Sequence, residues 1–196
     1  MTCIVGLIDK DRVWMGVDTC GVAGWHATER EDMKMFTPQG IKNSLMSYTT
    51  SFRMGQILMY EDHLFDELAI LKDDIDHKYM VTKFIPKVQT AFAGGGFGNI
   101  NGKEGSEGGA FLVAYKDKLF TVHSDYQVGI NSAGYAADGC GQPYALGSLA
   151  TTAELTMSPK DRILAALRAA SLLSAGVSGP FHVANTKTCK VETFEK

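Results

Sequence analysis

The spacing of the apolar residues switches repeatedly between a strand-like period of two and a helix-like period near 3.6, and that alternation limits the fold most. Thr2–Leu7 (TCIVGL) and Val13–Val17 (VWMGV) are β-branched and apolar, and flank the turn-type cluster Asp9–Arg12. They predict a tight hairpin ending at Asp18. The polar, glycine-containing stretch Thr19–Asp32 reads as a loop. Lys34–Phe36 and Ile41–Thr50 read as a second strand pair around the turn Thr37-Pro38-Gln39-Gly40. From Phe52 the period lengthens, predicting a helix that runs past Glu61-Asp62 towards Leu71. A second helix carries Met80, Val81, Phe84, Ile85, Val88 and Phe92 on one face. Ala110–Tyr115 and Leu119–Ser124 then form a hairpin around Lys116-Asp117-Lys118, and Ile130–Ala137 is a further strand. A small-residue helix follows at Pro143–Thr152. Ser158 as N-cap, Pro159 at the first position and Asp161 in the first turn open the next one, which Gly176 would stop. Phe181–Asn185 and Cys189–Phe194 close the chain as two short strands.

The order is strands, two helices, strands, two helices, strands, with no linker, repeat or composition break. It predicts a single α+β domain over residues 1–196. Hydrophobic residues make up 45% and charged residues 21%, which excludes whole-chain disorder. A net charge of −3 without a Lys/Arg run argues against nucleic acid as a partner. No stretch approaches the roughly 18–20 apolar residues of a membrane span. Asp9, Lys10, Asp11 and Arg12 interrupt the first apolar run, so no secretory leader and a cytoplasmic location are expected. The cysteines (Cys3, Cys20, Cys140, Cys189) lack metal-ligand spacing, and His26, His63, His77, His123 and His182 are scattered. Reduced thiols, no metal and no cofactor are therefore expected. Gly94–Gly109 holds eight glycines and reads as a surface connection. It fails the phosphate-loop pattern, because Gly102-Lys103 is followed by Glu104. Glu61-Asp62-His63 and Asp73–His77 read as solvated helix surface. His123-Ser124-Asp125 has triad residue types, but adjacency in sequence is not triad geometry.

Three residues stand out. Thr2 follows the initiator Met directly, and loss of Met before a small residue is expected to leave it with a free α-amine. Asp18 ends a strand, and Lys34 sits inside the apolar run Met33-Lys34-Met35-Phe36.

Thr2-Cys3-Ile4-Val5-Gly6-Leu7 with Gly16-Val17-Asp18-Thr19 resembles the opening of catalytic proteasome β-subunits and of HslV-type peptidases. In that family an N-terminal Thr is the nucleophile, and the essential Asp and Lys lie at offsets that fall here on Asp18 and Lys34. Gly139-Cys140-Gly141-Gln142-Pro143-Tyr144-Ala145-Leu146-Gly147 resembles the family's segment entering a helix beside the active site, and Phe181-His182-Val183 resembles the strand after its last long helix. The resemblance implies the four-layer α-β-β-α sandwich of N-terminal nucleophile hydrolases. It also implies threonine-type hydrolysis of peptides or unfolded proteins inside a homo-oligomeric ring, with an ATP-dependent unfoldase as a candidate partner.

The residue types suit that chemistry. A Thr hydroxyl needs a base within hydrogen-bond reach, and an α-amine with a reference pKa of about 7.7–8.0 can carry a proton both ways near neutral pH. A neighbouring Lys ammonium lowers the pKa of the hydroxyl, and the Asp18 carboxylate would keep Lys34 charged and oriented. Backbone N–H groups of the strand leading into Ser47, Tyr48 and Thr49 would meet the oxyanion. Met46 either lines the first side-chain pocket, favouring apolar residues, or is ordinary core.

The chain departs from the family pattern in three places. Cys140 stands where Ser is usual. The supporting Asp and Ser of the last long helix fall near Ser171 and Ser174. The glycine-rich turn is replaced by Ser47–Phe52 (SYTTSF). A non-proteolytic amidase on the same fold and a non-catalytic ring or scaffold subunit remain alternatives, with a Cys3 nucleophile ranked last.

Overall fold

The computed structural model describes residues 1–65, 75–97 and 108–195. The opening hairpin forms as β1 (Ile4–Asp9) and β2 (Arg12–Asp18), in register from Ile4 opposite Val17 to Asp9 opposite Arg12. β3 (Cys20–Ala23) and β4 (His26–Glu29) make a separate two-stranded hairpin. β5 (Met35–Phe36) and β6 (Ser44–Tyr48) lead into α1 (Phe52–Tyr60), whose first turn is capped by Ser51 Oγ accepting from Met54 N. α2 (residues 77–94) combines a helical turn at His77–Tyr79, a π-helical stretch at Met80–Phe84 and Ile85–Gly94. β7 (Phe111–Tyr115), β8 (Lys118–Val122), β9 (Val128–Gly129) and β10 (Tyr135–Asp138) follow. The chain ends with α3 (Gln142–Thr152), α4 (Pro159–Leu173), β11 (Phe181–Asn185) and β12 (Glu192–Phe194).

Two five-stranded antiparallel sheets result, in the orders β10-β1-β2-β11-β12 and β5-β6-β7-β8-β9. The pleat sorts each strand's side chains onto two faces. Val5 and Leu7 of β1 pack with Ala145 and Leu149 of α3 and Ile163 and Leu167 of α4. Ile4 of β1 and Met15 and Val17 of β2 meet Leu45, Leu112, Ala114 and Leu119 of the second sheet. On that sheet's other face, Met46, Tyr48, Phe111 and Val113 pack with Met54 and Leu58 of α1 and Phe84, Val88 and Phe92 of α2. Every strand of the two central hairpins is therefore covered on both faces, which explains their near-continuous apolar runs.

The structure revises several expected elements. Thr19–Asp32 is not a loop, because β3 and β4 lie within it. Their small and polar residues never display a period-two apolar face. Ile130–Ala137 is not one strand. Ala133 N donates to Asn131 Oδ1 at 2.9 Å and Gly134 adopts φ 74°, so a turn separates β9 in one sheet from β10 in the other. α1 ends at Tyr60 on an extended Glu61, and the expected continuation over 66–71 lies outside the described residues. Residues 98–107 of the glycine-rich stretch, with Gly102-Lys103-Glu104, and Asp73-Asp74 lie outside them too. α4 starts as expected, with Ser158 Oγ accepting from Asp161 N, but stops at an extended Ser174 rather than at Gly176. Cys189 takes φ 52°, which confines the last strand to β12.

Helix α4 packs directly on the backbone of β2. A Cβ at Gly16 would lie 2.3 Å from Ile163 Cγ2 and 2.9 Å from Leu167 Cδ1. Gly16→Val should lower the unfolding free energy by about 1–3 kcal/mol, the usual range for overpacking. Urea unfolding with an unchanged m value is the measurement, and an unaltered midpoint would contradict this packing.

Candidate active site

The hairpin β1–β2 brings Thr2, just before β1, beside Asp18 at the end of β2. Lys34 reaches both from the residue preceding β5. Lys34 is only 1% exposed. Its Nζ donates to Thr2 Oγ1 at 2.9 Å, Asp18 Oδ1 at 2.9 Å and the Cys20 carbonyl at 2.5 Å. These use all three donors of the ammonium. Asp18, fully buried, also accepts from Cys3 N on Oδ1 at 3.0 Å and from Cys20 N on Oδ2 at 3.2 Å. Burial pushes the Asp18 carboxyl above the usual carboxylate range, against the pull of the Lys34 ammonium and the Cys3 N–H. Burial likewise drives the Cys3 thiol far upward, keeping it protonated, and raises the Tyr48 phenol to about 12.

The Thr2 backbone is held by the turn into α3. Its carbonyl accepts from Gly141 N at 3.3 Å and from Cys140 Sγ at 3.5 Å. Gly139 adopts φ 95°, and a Cβ there would lie 2.1 Å from the Thr2 carbonyl oxygen. A Cβ on Gly141 would lie 2.7 Å from Cys3 Cβ and 2.8 Å from Ala170 Cβ. Both positions need glycine because backbone and side chain approach too closely for anything else. Ser174 Oγ donates to Cys140 Sγ at 3.3 Å, linking the end of α4 to the same turn. The Thr2 hydroxyl, while accepting from Lys34, donates to the carbonyl of Met1.

Of the residues singled out in sequence, Thr2, Asp18, Lys34, Cys140, Gly141 and Ser174 converge. Ser171 does not, since it lies with Arg168, Leu172 and Phe181 on a separate cavity. Met46 has no exposed surface and packs in the core against the helices, so the core reading holds over the pocket reading. The Ser47 hydroxyl is buried and unpartnered among the described residues. Tyr48 and Thr49 line a small cavity of about 50 Å³ with Met1, Thr2, Val22, Thr50, Ser51 and Phe52. Their N–H groups are engaged, Tyr48 N donating to Lys34 O at 3.1 Å and Thr49 N to Ala110 O at 3.0 Å. Two of the expected oxyanion donors, Tyr48 N and Thr49 N, are thus committed to the backbone. Thr50, at φ 70°, makes no backbone N–H hydrogen bond among the described residues.

Sequence reasoning missed Cys20, whose carbonyl and N–H serve Lys34 and Asp18, because main-chain groups leave no residue-type signature. It also missed Phe52, whose ring lies 3.9 Å from the Arg30 guanidinium carbon and 5.8 Å from Lys34 Nζ. Among the described residues no three His, Cys, Asp or Glu side chains are grouped to hold a metal ion, and no helix is long and apolar enough to cross a membrane.

No family model and no curated protein matches the chain. Solved structures do. The Thiobacillus denitrificans protein BPH in complex with epoxomicin aligns with a TM-score of 0.72 at 18% identity, covering 93% of this chain and 97% of that one. BPH alone aligns at 0.71 with 18% identity, covering 93% and 96%. Eukaryotic HslV from Trypanosoma brucei aligns at 0.71 with 13% identity, covering 93% and 98%. The chain has the α+β fold of HslV-type, proteasome-like peptidases.

A raised folded-state pKa means that folded protein holds the Asp18 proton to higher pH than unfolded chain does. The resulting stabilisation is fully present below the unfolded value of about 3.9 and is lost as pH rises through the folded value. Carbon NMR of the Asp18 carboxyl should therefore titrate above the ordinary aspartate range. A midpoint at or below about 3.9 would contradict burial as the dominant influence.

Proposed function

We propose that the protein is an N-terminal threonine peptidase of the HslV and proteasome β-subunit class, with its two five-stranded sheets and the helices packed on them stacked as an α-β-β-α sandwich. The observation that carries this reading is the 2.9 Å contact from a buried Lys34 Nζ, itself paired with Asp18, to the hydroxyl of the chain's second residue. Hydrolysis of the Met1–Thr2 amide bond frees the α-amine as base. The amine takes the Oγ1 proton as Oγ1 attacks the substrate carbonyl, and Lys34 stabilises the developing alkoxide. The N–H of Thr50, unengaged among the described residues, would meet the oxyanion. The amine then protonates the leaving nitrogen, and water hydrolyses the Thr2 ester. Gly139, Cys140, Gly141 and Ser174 position Thr2 throughout.

The substrates on this reading are peptides or unfolded proteins, cleaved in the cytoplasm within a homo-oligomeric ring that an ATP-dependent unfoldase could feed. The bound epoxomicin in the BPH structure supports the choice of a threonine-directed probe.

Intact-mass analysis should show loss of Met1, and an N-terminal-Thr-directed epoxyketone should add covalently to Thr2. A chain that keeps Met1 and ignores the reagent would sink the enzymatic reading. Lys34→Ala should reduce kcat by about 10²–10⁴, the usual span for proton-transfer catalysis, while thermal unfolding stays cooperative. Unchanged turnover would remove Lys34 from the mechanism.

A further inference from the structure

The β3–β4 hairpin is rooted in the site and bare at its tip. Cys20 and Arg30 tie its base to Lys34 and Phe52. Beyond Val22, residues 23–29 are all exposed, and Trp25 at the turn is 101% exposed. The hairpin pairs with neither large sheet. An isolated two-stranded hairpin is at best marginally stable in water unless something packs on it. A fully exposed Trp is also the residue type most enriched among the anchors of protein interfaces.

A matching receptor lies at the C-terminal end of α4. Arg168, Ser171, Leu172 and Phe181 line an apolar cavity of about 430 Å³. Leu172 is 84% exposed and its neighbour Leu173 is 59% exposed. Arg168 has no hydrogen-bond or ion-pair partner among the described residues. An arginine lining an apolar slot suits an indole ring, which offers a cation–π face. Charge is complementary as well. In the hairpin arm Arg30 is taken by Asp32 at 2.7 Å, which leaves Glu29 and Glu31 as its uncompensated charges.

We propose that Trp25 inserts into the α4 cavity of a second copy of this chain, with Glu29 and Glu31 facing Arg168. The contact gives the proposed assembly a specific surface and rests on the oligomeric part of that reading, not on its chemistry. It uses unlike surfaces of the two copies, the arrangement that builds rings when the rotation closes. Docking would also order the strand whose root holds the Lys34 acceptor, Cys20.

Sedimentation velocity over a concentration series provides the first test. Wild type should assemble, and Trp25→Ala or Arg168→Glu should raise the concentration needed at least tenfold, with unchanged circular dichroism. The second test mixes Trp25→Cys copies with Leu172→Cys copies, both in a Cys140→Ser background, under mild oxidation. The mixture should yield a disulfide-linked dimer that neither variant forms alone. A wild-type monomer at every concentration would overturn the assembly. Unchanged assembly of Trp25→Ala, or a Trp25→Cys/Leu172→Cys double variant that closes only within one chain, would overturn the contact. Failure of Thr2 to react with an epoxyketone would leave these readouts untouched.

Discussion

A buried ammonium governs the centre of this molecule. Lys34 is almost wholly withdrawn from water, and a charge so placed is tolerated only when paired and hydrogen-bonded. Three acceptors meet it, from three separate stretches of chain: the hydroxyl before β1, the carboxylate ending β2 and a carbonyl opening β3. Each of these must be delivered to within hydrogen-bond length of one nitrogen. Removing one partner of such a pair usually costs about 3–5 kcal/mol, because the remaining charge stays buried. Stability and site geometry therefore depend on the same few atoms.

The rest of the fold reads as support for that delivery. Sheet pairing sets Thr2 and Asp18 beside adjoining strand ends, and Lys34 reaches both from the residue before β5. The turn Gly139-Cys140-Gly141 does for the Thr2 main chain what Asp18 does for the lysine. Its two glycines admit a backbone approach that any side chain would block. Cys140 offers a thiol, a weaker donor than a hydroxyl, and the 3.5 Å contact to the Thr2 carbonyl is correspondingly long.

The core of the site was legible through the resemblance of the opening segment to proteasome β-subunits and HslV-type peptidases, whose offsets fall on Thr2, Asp18 and Lys34. The opening hairpin was legible from its period of two; Thr2 precedes it, Asp18 ends it and Lys34 precedes β5. The paired helices were legible from their own period. What escaped notice lacks such a pattern. β3 and β4 bury no continuous face, so their residues resemble a loop. The break in Ile130–Ala137 depends on an Asn side chain closing a turn, which an apolar count overlooks. Met46 alternates correctly but on the face turned to α1 and α2, and only the assignment of faces to layers reveals that. Ser171 lies within α4 whereas Ser174 is the extended residue that ends it, and only the end of the helix meets Cys140.

The Met1–Thr2 peptide links the structural and chemical arguments. While it is intact, the Thr2 nitrogen is an amide with no basicity, and the Thr2 hydroxyl hydrogen is given to the Met1 carbonyl. On the proposed reading the site then holds a nucleophile, a cation and a carboxylate but no base. Cleaving that one bond supplies the amine and, in the same event, releases the hydroxyl from its acceptor. Lys34, Asp18 and the Cys20 carbonyl need not move, since none of them bonds to Met1. A site assembled by folding but completed by removal of a single residue keeps the Lys34 ammonium and the Asp18 carboxylate paired in both states.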